Sequence, residues 1–491
     1  MFVDFCVSLT AVGNMRQGAG RMLLNFTVEN CLSFKNEQEF TMLRKKRSDS
    51  RDAQELRNRV SPVAAIYGDN AAGKSNLLKC MNFFSNFVRN SFAPRDGIST
   101  QPFLLDAEAA GRPSTFYMEF TAEDGNRYQY WFRIDARRVL EEVLWMFRAE
   151  TNRRTVIFER EAGKKTRIGS QFHNVGKIAH LVRENALLLS AAAALNIESV
   201  LPAYNVIAND VRYYPAVDFD KFFPVFVHRV RDNPRRARLL SDLVRVADLG
   251  IANVDFEETD APEELVEELR KLEESGISKS PVPTVDSSLD DTGASLSRQY
   301  VVPQVLFSHQ GKGVIRQLSE QWESQGTKNV MLLLDWVLDS LERPSITLLD
   351  EPDVSISTSL FSEIIRLYRN PVTNPNNSQL IFTTHNETLI NASGADDRVL
   401  DRDQIWIVKK DSNTGESTLN WLMDWSPSDR ENYGKNYRHG VYGGLAQPNL
   451  YETMKRHFVH MGDDGEEGQS RSRVSPSDAK RASKPMASKG A

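Results

Sequence analysis

The chain has 491 residues, 40% of them hydrophobic, with 61 basic and 66 acidic side chains and a formal net charge of −5. That length leaves room for two to four domains, and the near balance of charge gives no global drive toward nucleic acid or a membrane surface. Three cysteines without a C-x-x-C pair exclude a disulfide framework and a cysteine metal site, and no apolar run nears the ~18 residues of a membrane-spanning helix, so the expectation is a cytoplasmic protein with reduced thiols.

Residues 1–21 lack the basic segment of a secretion signal and read either as a poorly ordered extension or as an upstream start that the fold does not need. From Met22, "MLLNFTVENCLSFKNEQEFTML" alternates and turns like a β-hairpin, and a charged loop follows. "PVAAIY" reads as a short buried strand and runs straight into a glycine-bearing loop. In that loop Gly68, Gly73, Lys74 and Ser75 fit G-x-x-x-x-G-K-[ST]. The glycines let the backbone curl so that successive N–H groups face phosphate oxygens. Lys74 is expected at the β- and γ-phosphates of ATP, and the Ser75 hydroxyl at Mg²⁺. Asp69, Asn70, Ala71, Ala72 and Asn76 complete the nucleotide-binding stretch. Leu77, Met81, Phe84 and Val88 then recur at helical spacing, so the order is strand, loop, helix.

Next, "STFYMEFTAEDGNRYQYWFRID" predicts a second hairpin: Phe116, Met118 and Phe120 alternate, Asp124-Gly125 turns, and Tyr128, Tyr130 and Phe132 alternate back. Two further short strands are expected in 139–160. Residues 175–275 read as mainly helical, ending in the amphipathic "EELVEELRKLEES", and a Ser/Pro/Asp-rich linker precedes "VVPQVLFSH". Ser324, Gln325, Gly326 and Thr327 open a helix whose apolar stripe includes Val330, Leu334, Val337 and Leu341. Such a tetrapeptide is either a phosphate cradle without a lysine or an ordinary hydroxyl cap. "SITLLDEP" supplies a buried strand, Ile346–Leu349, ending in Asp350 for Mg²⁺ and Glu351 as general base. "QLIFTTHNETLI" gives another buried strand, ending at His385. Three strands therefore end in polar groups, and open α/β sheets bind ligands at the carboxyl ends of their strands. "DQIWIVKK" and "TLNWLMDW" read as strands that finish the sheet, and the last thirty residues read as a disordered polar tail.

This order of motifs resembles the ATP-binding-cassette class of P-loop ATPases, in the branch of the SMC, Rad50, RecF and overcoming-lysogenization-defect ATPases. "NFTVENCLSFKN", "VADLGIANVDFEE", "ESQGTKNVMLLLD", "DRDQIWIVKKD" and "YRHGVYGG" look like the AAA-15/AAA-21 (AbiL-like and RloA-like) ATPases of bacterial abortive-infection and restriction-linked operons. The resemblance implies an α/β fold: an ABC-type P-loop ATPase head with an antiparallel β-subdomain and a mainly helical insertion. It divides the chain into an extension (1–21), an N-terminal ATPase lobe (22–175), the helical insertion and linker (176–300), a C-terminal ATPase lobe (301–450) and a disordered tail (451–491).

The resemblance also implies a mechanism. Ser324–Thr327 act as the signature, closing on ATP held by a second subunit, and His385 senses the γ-phosphate. The chain is then an ATPase that forms a homodimer or higher homo-oligomer, senses a phage-encoded trigger and controls a separate effector, a TOPRIM-type nuclease, while cutting no nucleic acid itself. The alternative is a RecF/Rad50-like repair ATPase that holds DNA along basic stretches such as "HRVRDNPRRARLL". A transporter subunit and a GTPase fit less well, since the antiparallel sheet resembles SMC-type heads and no NKxD motif follows. Two departures stand out: Ser355-Ile356-Ser357 occupies the D-loop position, and Gln325 replaces an acid common in relatives. Gln101 and Gln171 are both candidates for the Q-loop.

Overall fold

The computed structural model describes residues 20–44, 59–93, 96–215, 218–247, 250–260, 267, 284–285, 299–354, 356–391, 398–428, 431–443 and 450–456. Two compact units divide it, Met1–Leu445 and Ala446–Ala491; in the second, the described residues 450–456 are helical.

The first unit holds two large sheets. Strands β1 (Met22–Glu29), β2 (Gln38–Thr41), β4 (Ser114–Thr121), β5 (Arg127–Ile134), β6 (Val139–Phe147), β7 (Arg154–Glu161) and β8 (Arg167–Ile168) form an antiparallel sheet in the order β2-β1-β4-β5-β6-β7-β8. The hairpins read from alternation are both present, and Gly125, at φ 82°, makes the β4–β5 turn. The second sheet contains β3 (Val63–Gly68), β9 (Val211–Tyr214), β14 (Ile346–Leu349), β15 (Gln379–Thr383), β16 (Ile405–Lys410) and β17 (Ser417–Trp421), ordered β17-β16-β3-β15-β14-β9. All its pairings are parallel except the β16–β17 hairpin at one edge.

Helix α1 (Lys74–Asn90) follows β3, and α2 (Leu188–Ala194), α3 (Phe219–Arg231), α4 (Pro234–Val246), α5 (Gln325–Leu341), α6 (Thr358–Arg369) and α7 (Tyr433–Arg438) come later in the chain. The parallel strands are buried on both faces, so their alternation feeds two cores rather than one core and solvent. Ala64, Ile66, Ile346, Leu348, Trp406 and Val408 join α1 and the antiparallel sheet. Val63, Ala65, Tyr67, Leu349, Phe382, Ile405 and Ile407 join α3, α4, α5 and α6 on the other face. On α1, Phe84 is fully buried and stacks on Phe132 with centroids 5.1 Å apart, which fastens the helix to the antiparallel sheet.

Region 176–300 departs from the helical expectation. It does hold α2, α3 and α4, but β9 is an edge strand of the parallel sheet, and β10 (Ile251–Asp260) pairs with β12 (Gln299–Gln310). Two small strands, β11 (Thr284–Val285) and β13 (Ile315–Ser319), also pair with β12. A register shift between Ile251 and Asn253 breaks the period-two pattern of "IANVDFEETD", which hid the strand. β9 is only four residues long, and its partner β14 lies far along the chain. Of "EELVEELRKLEES" all but Glu267 lies outside the described residues, as do most of the linker, residues 1–19 and the tail beyond 456.

Candidate functional site

Three parallel neighbours, β3, β15 and β14, bring their carboxyl ends to one edge of the sheet. At the end of β3 the chain curls through Gly68 (φ 150°), Ala71 (φ 60°) and Gly73 (φ 112°) before α1 begins at Lys74. No acid occupies the first turn of α1, so the positive end of its dipole faces the loop uncompensated. The loop is packed too tightly for side chains at its glycines. A Cβ at Gly73 would lie 2.5 Å from Ser417 Oγ and 2.7 Å from Ser33 Oγ, and one at Gly68 would lie 2.6 Å from the Val408 carbonyl. Ser417 donates its hydroxyl to the Ala72 carbonyl (2.6 Å), and Asn76 donates to Ser33 Oγ (2.8 Å). Asp69 Oδ1 accepts from the Asn70 amide at 2.8 Å.

Lys74 is buried at 4% exposure, and its ammonium donates to the carbonyls of Gly68 and Asp69, both at 3.2 Å. Burial pushes its pKa below the ordinary lysine value, against the pull of Glu351, Asp350 and Asp69. His385 Nε2 lies 2.6 Å from this ammonium and 3.1 Å from Glu351 Oε1, and Glu351 Oε1 lies 3.8 Å from Lys74 Nζ. That one imidazole nitrogen can accept from Lys74 or donate to Glu351, but not both at once, so its proton follows the partner it faces.

Ser75 Oγ donates to Asp350 Oδ1 at 2.8 Å, and Thr383 Oγ1 donates to the same oxygen at 2.7 Å. Tyr213 OH reaches Asp350 Oδ2 at 3.4 Å, and burial beside that carboxylate raises its phenol above the ordinary value. Glu351 sits at φ 49°, a left-handed conformation unusual for a side-chain-bearing residue, and its amide donates to Thr383 Oγ1 at 2.8 Å. The second acid-bearing strand and the His strand are thus stitched together at the edge that carries the loop.

Gly68–Asn76, Asp350, Glu351 and His385 therefore converge, whereas the expected signature does not join them within this chain. Ser324 is exposed and caps α5, accepting from the Thr327 amide at 3.1 Å with its hydroxyl 3.0 Å from Thr327 Oγ1. Asp339 of α5 meets Arg212 and Trp336 stacks on Tyr214, so α5 runs opposite to β9 and its parallel neighbour β14, and its N-terminus points toward the carboxyl edge of the sheet. Gln325 is exposed beside it, Gly326 is half-buried and Thr327 is buried. Of the two Q-loop candidates, Gln171 accepts from Arg148, the residue after β6 (3.0 Å), whereas the Gln101 carbonyl accepts from the Leu32 amide (2.7 Å), one residue from Ser33. The backbone of Gln101 is thus tied to the segment that carries Ser33. Ser355 lies outside the described residues, and Ser357 caps α6.

The sequence reading missed Thr383, Tyr213, Ser33 and Ser417. The "TT" before His385 was a usable signal for Thr383; the other three sit on β9, in the β1–β2 connection and on β17, brought in only by folding. The donor set suits a nucleotide with Mg²⁺: two hard oxygens, Ser75 Oγ and Asp350 Oδ1, on one point, with a close-packed glycine cradle and an ammonium beside it. Among the described residues no separate cluster of His, Cys, Asp and Glu is built for a metal, and no helix is long and apolar enough to cross a membrane.

A parallel sheet with this loop between its β3 strand and α1, and an acid at the end of a second strand, defines a P-loop ATPase fold. The profile of the AAA_21 family, described as "AAA domain, putative AbiEii toxin, Type IV TA system", matches residues 63–391, well over half of the chain, and the chain belongs to that family. No curated protein matches it. Among solved structures it is similar to the SMC head domain from Thermotoga maritima (12% identity over 81% of this chain and 98% of that one, TM-score 0.35). It is also similar to the recombination mediator RecF with ATP (12% identity, 74% and 93%, TM-score 0.30).

Proposed function

We propose that this protein is an ATP-hydrolysing, dimerising switch that serves as the sensor and regulator of a phage-defence, abortive-infection system and controls a separate nuclease effector. The observation that carries the ATPase part is the junction of Lys74, His385 and Glu351 within 3.8 Å of one another, beside the Ser75–Asp350 pair. In this reading the loop amides and Lys74 hold the triphosphate of ATP. Ser75 and Asp350 hold Mg²⁺, which supplies positive charge to the phosphate oxygens. Glu351 takes the proton of the attacking water, and His385 meets the γ-phosphate oxygens. Ser324, Gln325, Gly326 and Thr327 engage ATP held by a second copy. The defence role draws on the family's own description as part of a toxin–antitoxin system.

The RecF-like alternative asks "HRVRDNPRRARLL" to track DNA. Two of its arginines are already engaged inside the protein: Arg229 and Arg236 both pair with the fully buried Asp335 of α5. That pairing takes these two guanidiniums out of a DNA-tracking role. Steep loss of DNA binding with added salt would instead favour the DNA-holding role.

The test is ATP turnover and nucleotide binding by two variants. Lys74→Ala is expected to lose ATP binding, because a fixed charge at the phosphates is gone. Glu351→Gln is expected to bind ATP normally and hydrolyse it at least 100-fold more slowly, the usual reach of a general base. Wild-type turnover by Glu351→Gln would remove Glu351 from the mechanism.

A further inference from the structure

The motif "YRHGVYGG" takes no part in the reading above, yet its helix lies against the switch. The α7 residue Gly434 is seated on the turn that follows His385: a Cβ there would fall 2.8 Å from Asn391 Cβ and 3.0 Å from the Glu387 carbonyl. Tyr437 is buried with its hydroxyl against the Gly68 backbone, and its ring centroid is 5.6 Å from that of Tyr67. Tyr67 OH in turn donates to the Asn386 carbonyl at 3.2 Å. Arg438 places a guanidinium fork on Glu387, with Nε 2.9 and 3.0 Å from its two oxygens and a terminal nitrogen 2.7 Å from Oε1. Glu387 is two residues beyond His385 and opens the short 3-10 turn Glu387–Ile390.

The residues that flank His385 are held as well. Thr384 donates its hydroxyl to Asp353 Oδ2 at 2.6 Å and accepts from the Asn386 amide at 2.8 Å, while Asn386 donates to Thr358 Oγ1 at 2.8 Å. In the run Thr384–Glu387 every side chain is fastened to another segment of the chain, that of His385 to Lys74 and Glu351.

We infer that α7 is a positioning element of the ATP site, in which Arg438, acting through Glu387, sets the His385 imidazole against Lys74 and Glu351. This rests on the reading of His385 as part of the hydrolytic machinery. The Arg438 side chain is 58% exposed and that of Glu387 32%, so the pair contributes little to folding. A displacement of about 1 Å at a reacting group, by contrast, costs on the order of 100-fold in rate. A purely structural ion pair and a positioning one therefore give different readouts.

The experiment uses the full chain with Mg-ATP and four variants: Arg438→Glu, Glu387→Arg, the two combined, and His385→Ala. Steady-state turnover, affinity for a fluorescent ATP analogue and thermal melting are measured for each. Each single charge reversal is expected to lower kcat at least tenfold while analogue affinity stays within about twofold and melting is unchanged; the combined swap is expected to recover most of the lost rate. Single variants with wild-type kcat, or a loss that the swap does not restore, alongside an inactive His385→Ala, overturn the positioning role and leave the ATPase reading standing. Wild-type turnover by His385→Ala overturns the assignment of His385 itself, and the inference with it.

Discussion

Position 73 shows how much one missing Cβ does. Its φ of 112° is open to glycine and strained for other residues, and a methyl there would collide with the hydroxyls of Ser33 and Ser417. Gly73→Ala is therefore expected to lose nucleotide binding in a calorimetric titration and to lower unfolding stability by about 1–3 kcal/mol through backbone strain. Unchanged affinity would mean that the loop is not a phosphate cradle. The need for glycine was legible in the G-x-x-x-x-G-K-[ST] spacing. The two hydroxyls that make alanine intolerable were not, because they arrive from the β1–β2 connection and from β17, both remote in sequence. Glu351 is a second case. Its acid was predicted from the end of an apolar strand, but its φ of 49° and the Thr383 hydroxyl that holds its amide appear only in the fold.

Helix α5 shows what an element adds. Its stripe of Val330, Leu334 and Val337 packs into the core as the periodicity predicts. The same helix buries Asp335 completely, against Arg229 of α3 and Arg236 of α4, and holds Asp339 against Arg212 of β9 at 2.5 Å. A buried acid reads as an error in a helical pattern until its partners are known. Removing it takes away their buried partner and leaves Arg236 only Glu342, at 2.8 Å, and Arg229 only the longer 3.9 Å approach to Asp339, a change that costs up to about 3–5 kcal/mol. Asp335→Ala is expected to lower the denaturant midpoint by a corresponding amount, and Asp335→Asn by less, since the amide still accepts a hydrogen bond. Equal midpoints for wild type and Asp335→Ala would mean that the arginines find water instead. The helix that opens at Ser324 is thereby tied to α3, α4 and β9, and β9 carries Tyr213 to Asp350.

For the whole molecule, the decisive fact is that Ser324 and Gln325 are exposed at the carboxyl edge and make no hydrogen bond to the P-loop residues among the described contacts within the chain. If they act, they act on a second copy. Ser324→Arg is expected to leave nucleotide affinity of the single subunit unchanged and to abolish ATP-dependent assembly, read by light scattering or native mass. Assembly at the wild-type level would end the two-subunit model.

Local order in this chain was set by local chemistry. The P-loop, the Asp-Glu strand end, the two hairpins and the α1 and α5 stripes each rest on residues within one turn or one strand of each other, where backbone sterics and hydrophobic period act directly. Long-range pairing was not encoded that way. The four residues of β9 look like nothing until β14 offers them a parallel edge, and the bulged β10 loses the alternation that marks a strand. His385, Glu351 and Lys74 were separately legible as chemistry-bearing residues. That one imidazole nitrogen stands between an ammonium and a carboxylate, with its turn clamped by α7, follows from three parallel strands ending side by side, a juxtaposition that only burial of their apolar faces on both sides of the sheet brings about.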